Sequence, residues 1–310
     1  MPTAVLTLYA ADGSFVTQTD CAAFSLLKER YLPYDTFHAV YCLTEERLPQ
    51  PPVRAVFTLD GVKLHDGIVR SVKAERRNHL TQLTLTSRGY TESLMQNQMV
   101  PGLYTDVTLD SLMTTYALPH ITYESGLSAS NYIYVKANTA MWDALSAFCY
   151  KYNRSLPYVT RCNHLRLSAK PEDAAILLPA EGLLRYSEDG DASTIISRID
   201  MADIDGTYGQ FTCTNEKAAE RQIVRVKQML FDRQFLYQPE DALRYRIAYS
   251  NRKLIGKTVS YCGYCGEDIE DMVELSGVLR GHVSRILLRG NENGLETTDT
   301  LYFDSFCNVG

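Results

Sequence analysis

Short β-prone runs, each closed off by a tight-turn signal, recur through residues 1–90, and this rhythm limits the possible folds more than any other feature of the chain. "TAVLTLYA" runs into Asp12-Gly13, a dipeptide that suits a two-residue hairpin because both residues tolerate positive φ. "AAFSLLKERYL" and "TFHAVYCL" form another extended pair around a corner at Pro33-Tyr34-Asp35. Pro51-Pro52 excludes a helix at the next junction, since proline lacks the N–H and clashes with the preceding turn. Ala55, Phe57 and Leu59 then alternate with polar neighbours as far as Asp60-Gly61, and Leu80, Leu83 and Leu85 lie on a strand ending at Ser87-Arg88-Gly89. Short antiparallel strands joined this way predict a small barrel or sandwich over residues 1–90.

A different texture follows. "DVTLDSLMTTYALP" predicts a helix with Thr108 as N-cap, with Leu109, Leu112, Met113 and Tyr116 on one face, and with Pro119 as its stop. Met141, Leu145, Phe148, Cys149 and Tyr152 fall at helical spacing in "NTAMWDALSAFCYKYN". "YIYVK" and "LPYVTRCNHLRLS" read as strands, which makes residues 91–178 a small α/β unit. "PAEGLLRYSEDGDAS" reads as a polar, Gly-bearing passage into a third part. There the strands "TIISRIDMADIDG", "GQFTCT", "IVRVKQMLF", "KTVSYCGY", "MVELSGVLRGHVSRILLRG" and "ETTDTLYF" accompany a short helix after Asn215 and a longer one in "QPEDALRYRIAYSNR". Pro239 takes the first position of that longer helix, with Glu240 and Asp241 in the first turn, where acids complement the dipole. The expected fold class is mainly β with an α+β insert: two β-barrel domains, 1–90 and 179–310, flanking a small α/β domain, 91–178.

A length of 310 residues suits two or three domains, and 45% hydrophobic with 22% charged residues suits a globular chain. No apolar run approaches the roughly 18 residues needed to span a bilayer, so no membrane insertion is expected. "MPTAVLTLYAADGS" lacks the basic leader and apolar stretch of a secretory signal, and eight scattered cysteines then read as reduced thiols. The net charge is −6 and no basic stripe exists, which argues against tight nucleic-acid binding. "KAERRNH", Lys73 to His79, is the densest basic cluster and reads as a solvated hairpin tip. Twenty-one tyrosines suit half-buried strands and protein interfaces, where the ring packs and the hydroxyl stays wet.

Chemistry is suggested most by "TVSYCGYCGEDIED", which holds Cys262 and Cys265 at the spacing of a redox dithiol or half a zinc site. Four ligands are needed for structural zinc, and only His282 and Cys307 follow. A thioredoxin-like dithiol opens a helix, whereas these thiols precede an acidic run that would raise their pKa. The stretch therefore reads as a turn at a strand end. "NRKLIGKT" ends like a phosphate-binding loop, but Asn251 stands where glycine is required and bulky residues fill the cradle. "DMADIDG" fails as a calcium loop because Met201 and Thr212 occupy ligand positions. The six histidines are dispersed and no HExxH, GxSxG or GxGxxG motif occurs. No residue is assigned as catalytic, cofactor-binding or metal-ligating, and no cofactor is expected.

Taken in order, "VRAVFTLDGVKLHDGIVRSV", "LTLTSRGYTESLMQNQMVPG", "VTLDSLMTTYALPHITYE", "YIYVKANTAMWDALSAFCYKYNRSLPYV", "DRQFLYQPEDALRYRIAYSNR" and "GYCGEDIEDMVEL" span most of the chain. This succession resembles the baseplate hub proteins of contractile-tailed bacteriophages and related contractile injection particles such as tailocins. The Mu-like tail hub and the late control tail family belong to that group. The resemblance implies two tail-tube-like β-barrel domains per chain and a homotrimer whose six barrels form a ring of pseudo-sixfold symmetry. It implies a virion structural protein, not an enzyme, that joins the tail tube protein to the spike protein and meets baseplate wedge and tape-measure proteins. Such a ring lines the channel for DNA or tape-measure passage. It is assembled in the bacterial host cytoplasm and ends in the baseplate of the virion or particle. Acids in "SEDGDAS", "DMADIDG" or "GEDIED" either face that channel, where they would repel phosphate, or are ordinary solvated turns. The alternatives are a tail-tip cell-wall hydrolase using unpaired acids, a redox or zinc protein using Cys262 and Cys265, and a carbohydrate-binding module. The length leaves no obvious room for an added peptidoglycan-cleaving domain.

Overall fold

The computed structural model describes residues 3–19, 21–43, 51–77, 80–170 and 174–303. The first third holds β1 (Ala4–Ala10), β2 (Phe15–Gln18), β3 (Cys21–Glu29), β4 (Thr36–Leu43), β5 (Pro52–Leu59), β6 (Val62–Arg77) and β7 (Leu80–Gly89). The middle holds α1 (Ser93–Gln96), β8 (Gly102–Val107), α2 (Leu109–Met113), β9 (Thr122–Tyr123), β10 (Ser130–Val135), α3 (Met141–Asn153), β11 (Tyr158–Thr160), β12 (His164–Arg166) and β13 (Ile176–Leu177). After these come β14 (Leu183–Asp189), β15 (Arg198–Met201), β16 (Phe211–Thr214), α4 (Glu216–Glu220), β17 (Val226–Met229) and α5 (Pro239–Asn251). The chain closes with β18 (Gly256–Cys262), β19 (Met272–Leu275), β20 (Leu279–His282), β21 (Arg285–Asn291) and β22 (Gly294–Tyr302).

Mainly β architecture with an α+β insert is what forms. Eleven strands make one antiparallel sheet in the order β14-β18-β22-β21-β3-β4-β7-β6-β5-β1-β2. The strands of the first and last thirds meet where β21 pairs with β3, Leu287 opposite Leu27. Gly290 makes that seam possible, since a Cβ there would lie 2.2 Å from the ring of Phe24. Among the described residues no pairing joins β2 to β14, so these are the sheet's free ends.

The period-two pattern explains the two cores on this sheet. Ala55, Phe57 and Leu59 point inward from β5 and pack with Leu6, Phe37 and Leu85. Val259 and Tyr261 of β18, with Val273, Ile286 and Leu301, build the second. The insert has its own core around α3, where Met141, Leu145, Phe148 and Cys149 are wholly buried as their spacing predicts. Burial of a side chain such as Leu145 or Phe148 contributes about 2 kcal/mol. Thr108 caps α2 by accepting from Ser111 N at 3.0 Å. Tyr116 and Tyr152 remain partly exposed at the margins of these helices.

Two segments depart from their sequence readings: α2 ends at Met113, short of Tyr116 and Pro119, and a strand lies in the polar passage. The "polar passage" contains β14, whose partner β18 lies far along the chain. Long-range pairing, which local composition does not encode, makes it a strand. The tip at 78–79 of the basic hairpin and Cys307 lie outside the described residues. Among the described residues, no helix is long and apolar enough to cross a membrane.

Candidate functional site

Cys262 ends β18, and Gly263 and Gly266, at φ +100 and +93, turn the chain through a bend. Both thiols of the motif are free and reach solvent. Partial burial of its sulfur, then the Glu267 and Asp299 carboxyls, push Cys265 up and weaken it as a nucleophile. His282, one of the two residues that follow with a zinc-ligating side chain, contacts the Glu270 carbonyl through Nδ1 at 3.0 Å. Among the described residues no three His, Cys, Asp or Glu side chains converge to hold a metal.

The acids after the thiols pair within the chain, Glu267 and Asp268 buried and Glu270 and Asp271 half-buried. Asp268 accepts from Lys28 Nζ of β3 at 2.8 Å and from the backbone N–H of Arg161 at 2.6 Å. Burial opposes its charge, but Lys28, Lys170 and Arg161 hold its carboxyl below the usual range. Glu270 pairs with Arg30, whose two remaining arms donate to the carbonyls of Pro157 and Leu156 at 2.8 and 2.7 Å. Asp271 takes Lys170 at 2.5 Å, and Arg161 reaches back to the carbonyls of Gly266 and Glu267. The loop thus clasps β3, the insert and β18 together through charge-assisted hydrogen bonds.

Beneath the clasp lies a pair of wholly buried acids, Glu267 and Asp299. Tyr261 donates to Glu267 Oε1 at 2.7 Å and the Cys265 N–H to Oε2 at 3.1 Å. Neither oxygen of Asp299 has a partner among the described residues. Burial pushes both carboxyls up, and the Glu267 charge raises Asp299 further. Asp299 therefore favours its neutral form further up the pH scale than an exposed carboxyl does.

A second constellation escaped sequence reasoning. His65 Nε2 lies 2.8 Å from Ser87 Oγ, and its Nδ1 stands 3.1 Å from Asp35 Oδ2, a contact without hydrogen-bond alignment. The residue types are those of a hydrolytic triad. The surroundings are not: Ser87 and His65 are buried, and Ser87 Oγ donates to the Ile68 carbonyl at 3.0 Å. The neighbouring cavity is only about 10 Å³. Gly67 and Gly89 clear space for the cluster, since a Cβ on either would fall 2.3 Å from Arg88 O or 2.4 Å from Asp35 Oδ1. Asn163 of the insert donates to the Asp66 carbonyl at 2.8 Å, so the cluster fastens the insert to β6 and β7. No spacing motif could announce it, because residues 35, 65 and 87 meet only when β4, β6 and β7 pair.

A cleft of about 790 Å³ opens between α3 and β10 of the insert and β17 and α5 of the third part. Six aromatic side chains line it, among them Trp142, Tyr245 and Tyr249. Asp232 bridges across it, accepting from Arg246 at 3.0 Å and standing 3.5 Å from Lys136 Nζ.

No known protein family and no characterised relative matches the sequence. The fold itself is that of phage tail proteins. The chain is similar to the tail protein from Neisseria meningitidis (TM-score 0.73, 13% identity, 98% of this chain and 97% of that one). It is equally similar to the 43 kDa tail protein of prophage MuSo2 from Shewanella oneidensis (TM-score 0.72, 11% identity, 99% of both chains). The E. coli c3393 protein, a component of the type VI secretion system with structural similarity to T4 tail proteins, matches at a TM-score of 0.56 with 8% identity, over 92% of this chain and 74% of its own.

Proposed function

We propose that this chain is a structural tail component, and in particular the baseplate hub of a contractile tail or related injection particle. The observation that carries the reading is likeness of fold to tail proteins over almost the whole of both chains. Residues 1–90 and 179–310 act as two tube-like modules flanking the insert of 91–178, so that three copies offer six modules to a sixfold tube and a threefold spike. Support comes from the two cores on one sheet and from its free ends, where Phe15 of β2 and Leu184 of β14 are 64% and 56% exposed. Unpaired strand edges invite closure by a neighbouring copy. Tube, spike, wedge and tape-measure proteins are the partners, the chain works without cofactor or catalysis, and assembly in the host cytoplasm precedes incorporation into the particle.

Light scattering on the purified protein, followed by electron microscopy, tests this. Three chain masses and a ring with alternating modules are expected. A protein that stays single at high concentration and in the presence of tube and spike proteins overturns it. Peptidoglycan zymography tests the hydrolase alternative, with no clearing expected.

A further inference from the structure

The 790 Å³ cleft combines three features that point to one kind of ligand. Its lining carries four cations, Lys136, Lys227, Arg246 and Arg252, against two carboxylates, in a chain whose net charge is −6. Of those carboxylates, Asp232 is already engaged by Lys136 and Arg246.

Two buried donors in the lining also lack acceptors among the described residues. The Oε1 of Gln234 accepts from Tyr134 N at 2.6 Å, which fixes the amide orientation and leaves Nε2 buried without a partner. Gln234 as a whole is only 7% exposed. Arg252 Nε is in the same condition, its guanidinium stacked 3.7 Å from the centroid of Tyr249. A buried donor without an acceptor is destabilising, and an acceptor-rich ligand that reached it would remove that cost.

The third feature is an open strand edge. The β16-β15-β17 sheet ends at β17, and Lys227, Gln228 and Met229 of that strand line the cleft. Val224 and Leu230 at its ends are 88% and 76% exposed, and Lys227 is its one charge. The other strand lining the cleft, β10, has its Tyr134 N–H already taken by Gln234.

We infer that this cleft is a docking site for an extended acidic segment of another protein, which adds to the edge of β17 and lays alternate apolar or aromatic side chains against the tyrosine wall. Main-chain pairing supplies affinity, the cleft selects side chains, and the unpaired donors with Lys227 select carboxylates and carbonyls. This reading does not depend on the hub proposal.

The test uses the full chain and two fluorescent synthetic peptides, one alternating glutamate with tyrosine and valine, the other with lysine in place of each glutamate. Fluorescence anisotropy should show the acidic peptide binding at least about tenfold more tightly. Lys227→Glu, at an exposed position, should weaken that peptide about tenfold, and Ser146→Trp, which fills the cleft, should abolish binding. Thermal melts verify that both variants fold, and Lys227→Glu alone suffices if Ser146→Trp does not. Equal binding of the two peptides, no binding of either, or acidic binding unchanged by Lys227→Glu overturns the inference. So does the absence of peptide binding together with self-association that Lys227→Glu removes, which would make the occupant a second copy.

Discussion

The clasp at 263–271 and the cleft beside β17 are built from the same residue types, acids, arginines, lysines and tyrosines, and differ in that the charged groups of the loop are paired within the chain, although Arg161 Nε and the underlying Asp299 also lack hydrogen-bond partners among the described residues. In the clasp the acids at 268, 270 and 271 each meet a cation from another part of the chain. In the cleft two buried donors and a strand edge are left over. Ion pairs closed within the chain hold parts together, whereas open donors beside a cleft and a strand edge favour a ligand able to meet them. A catalytic-looking motif, CxxC, sits on the first and no motif marks the second, so residue type alone is a poor guide to function.

That contrast can be broken most directly at Lys28. Its replacement by Met strands the buried carboxylate of Asp268 and should cost about 3–5 kcal/mol. Denaturant titration measures this, and a change near zero would mean that the clasp holds nothing.

Asp299→Asn sharpens the same region through pH. Because the folded state keeps a proton that the unfolded chain releases in the ordinary carboxylate range, stability should fall as pH rises from that range toward neutrality. The asparagine variant should flatten the slope and gain about 1–3 kcal/mol at neutral pH by removing the charging cost. Unfolding measured at a series of pH values would show parallel curves if Asp299 did not hold a proton.

Ser87→Ala removes a buried partner of His65 and should cost about 1–2 kcal/mol, read as a lowered denaturation midpoint. Any peptidoglycan clearing that this change abolishes would turn the cluster from fastening to catalysis. The smallest effect is expected at the thiols. Cys262→Ser with Cys265→Ser should shift stability by no more than about 0.5 kcal/mol, since both side chains reach solvent. Metal analysis of the unchanged protein should find no stoichiometric zinc.

Much of the fold was legible because local rules and tertiary structure agreed. Thr108 as a cap, Met141 to Cys149 as a buried helical stripe, Pro239 at the start of α5 and the alternation of Ala55, Phe57 and Leu59 all appear where periodicity placed them. β14 was missed because its exposed pattern carries no alternation and it becomes a strand only against β18. The pairing of Asp268, Glu270 and Asp271 was missed for a related reason: their cations stand at residues 28, 30 and 170.

By itself the sequence determined the starts of the helices at Thr108 and Pro239, most strand runs and the mainly β class, because these depend on neighbours within a few residues. Only the tertiary structure decided that first and last strands share one sheet, that Ser87, His65 and Asp35 meet, and that the acids at 268, 270 and 271 pair with distant cations. Each of these rests on contacts between residues tens to hundreds of positions apart, and no local pattern of side chains encodes which distant strand will supply the partner.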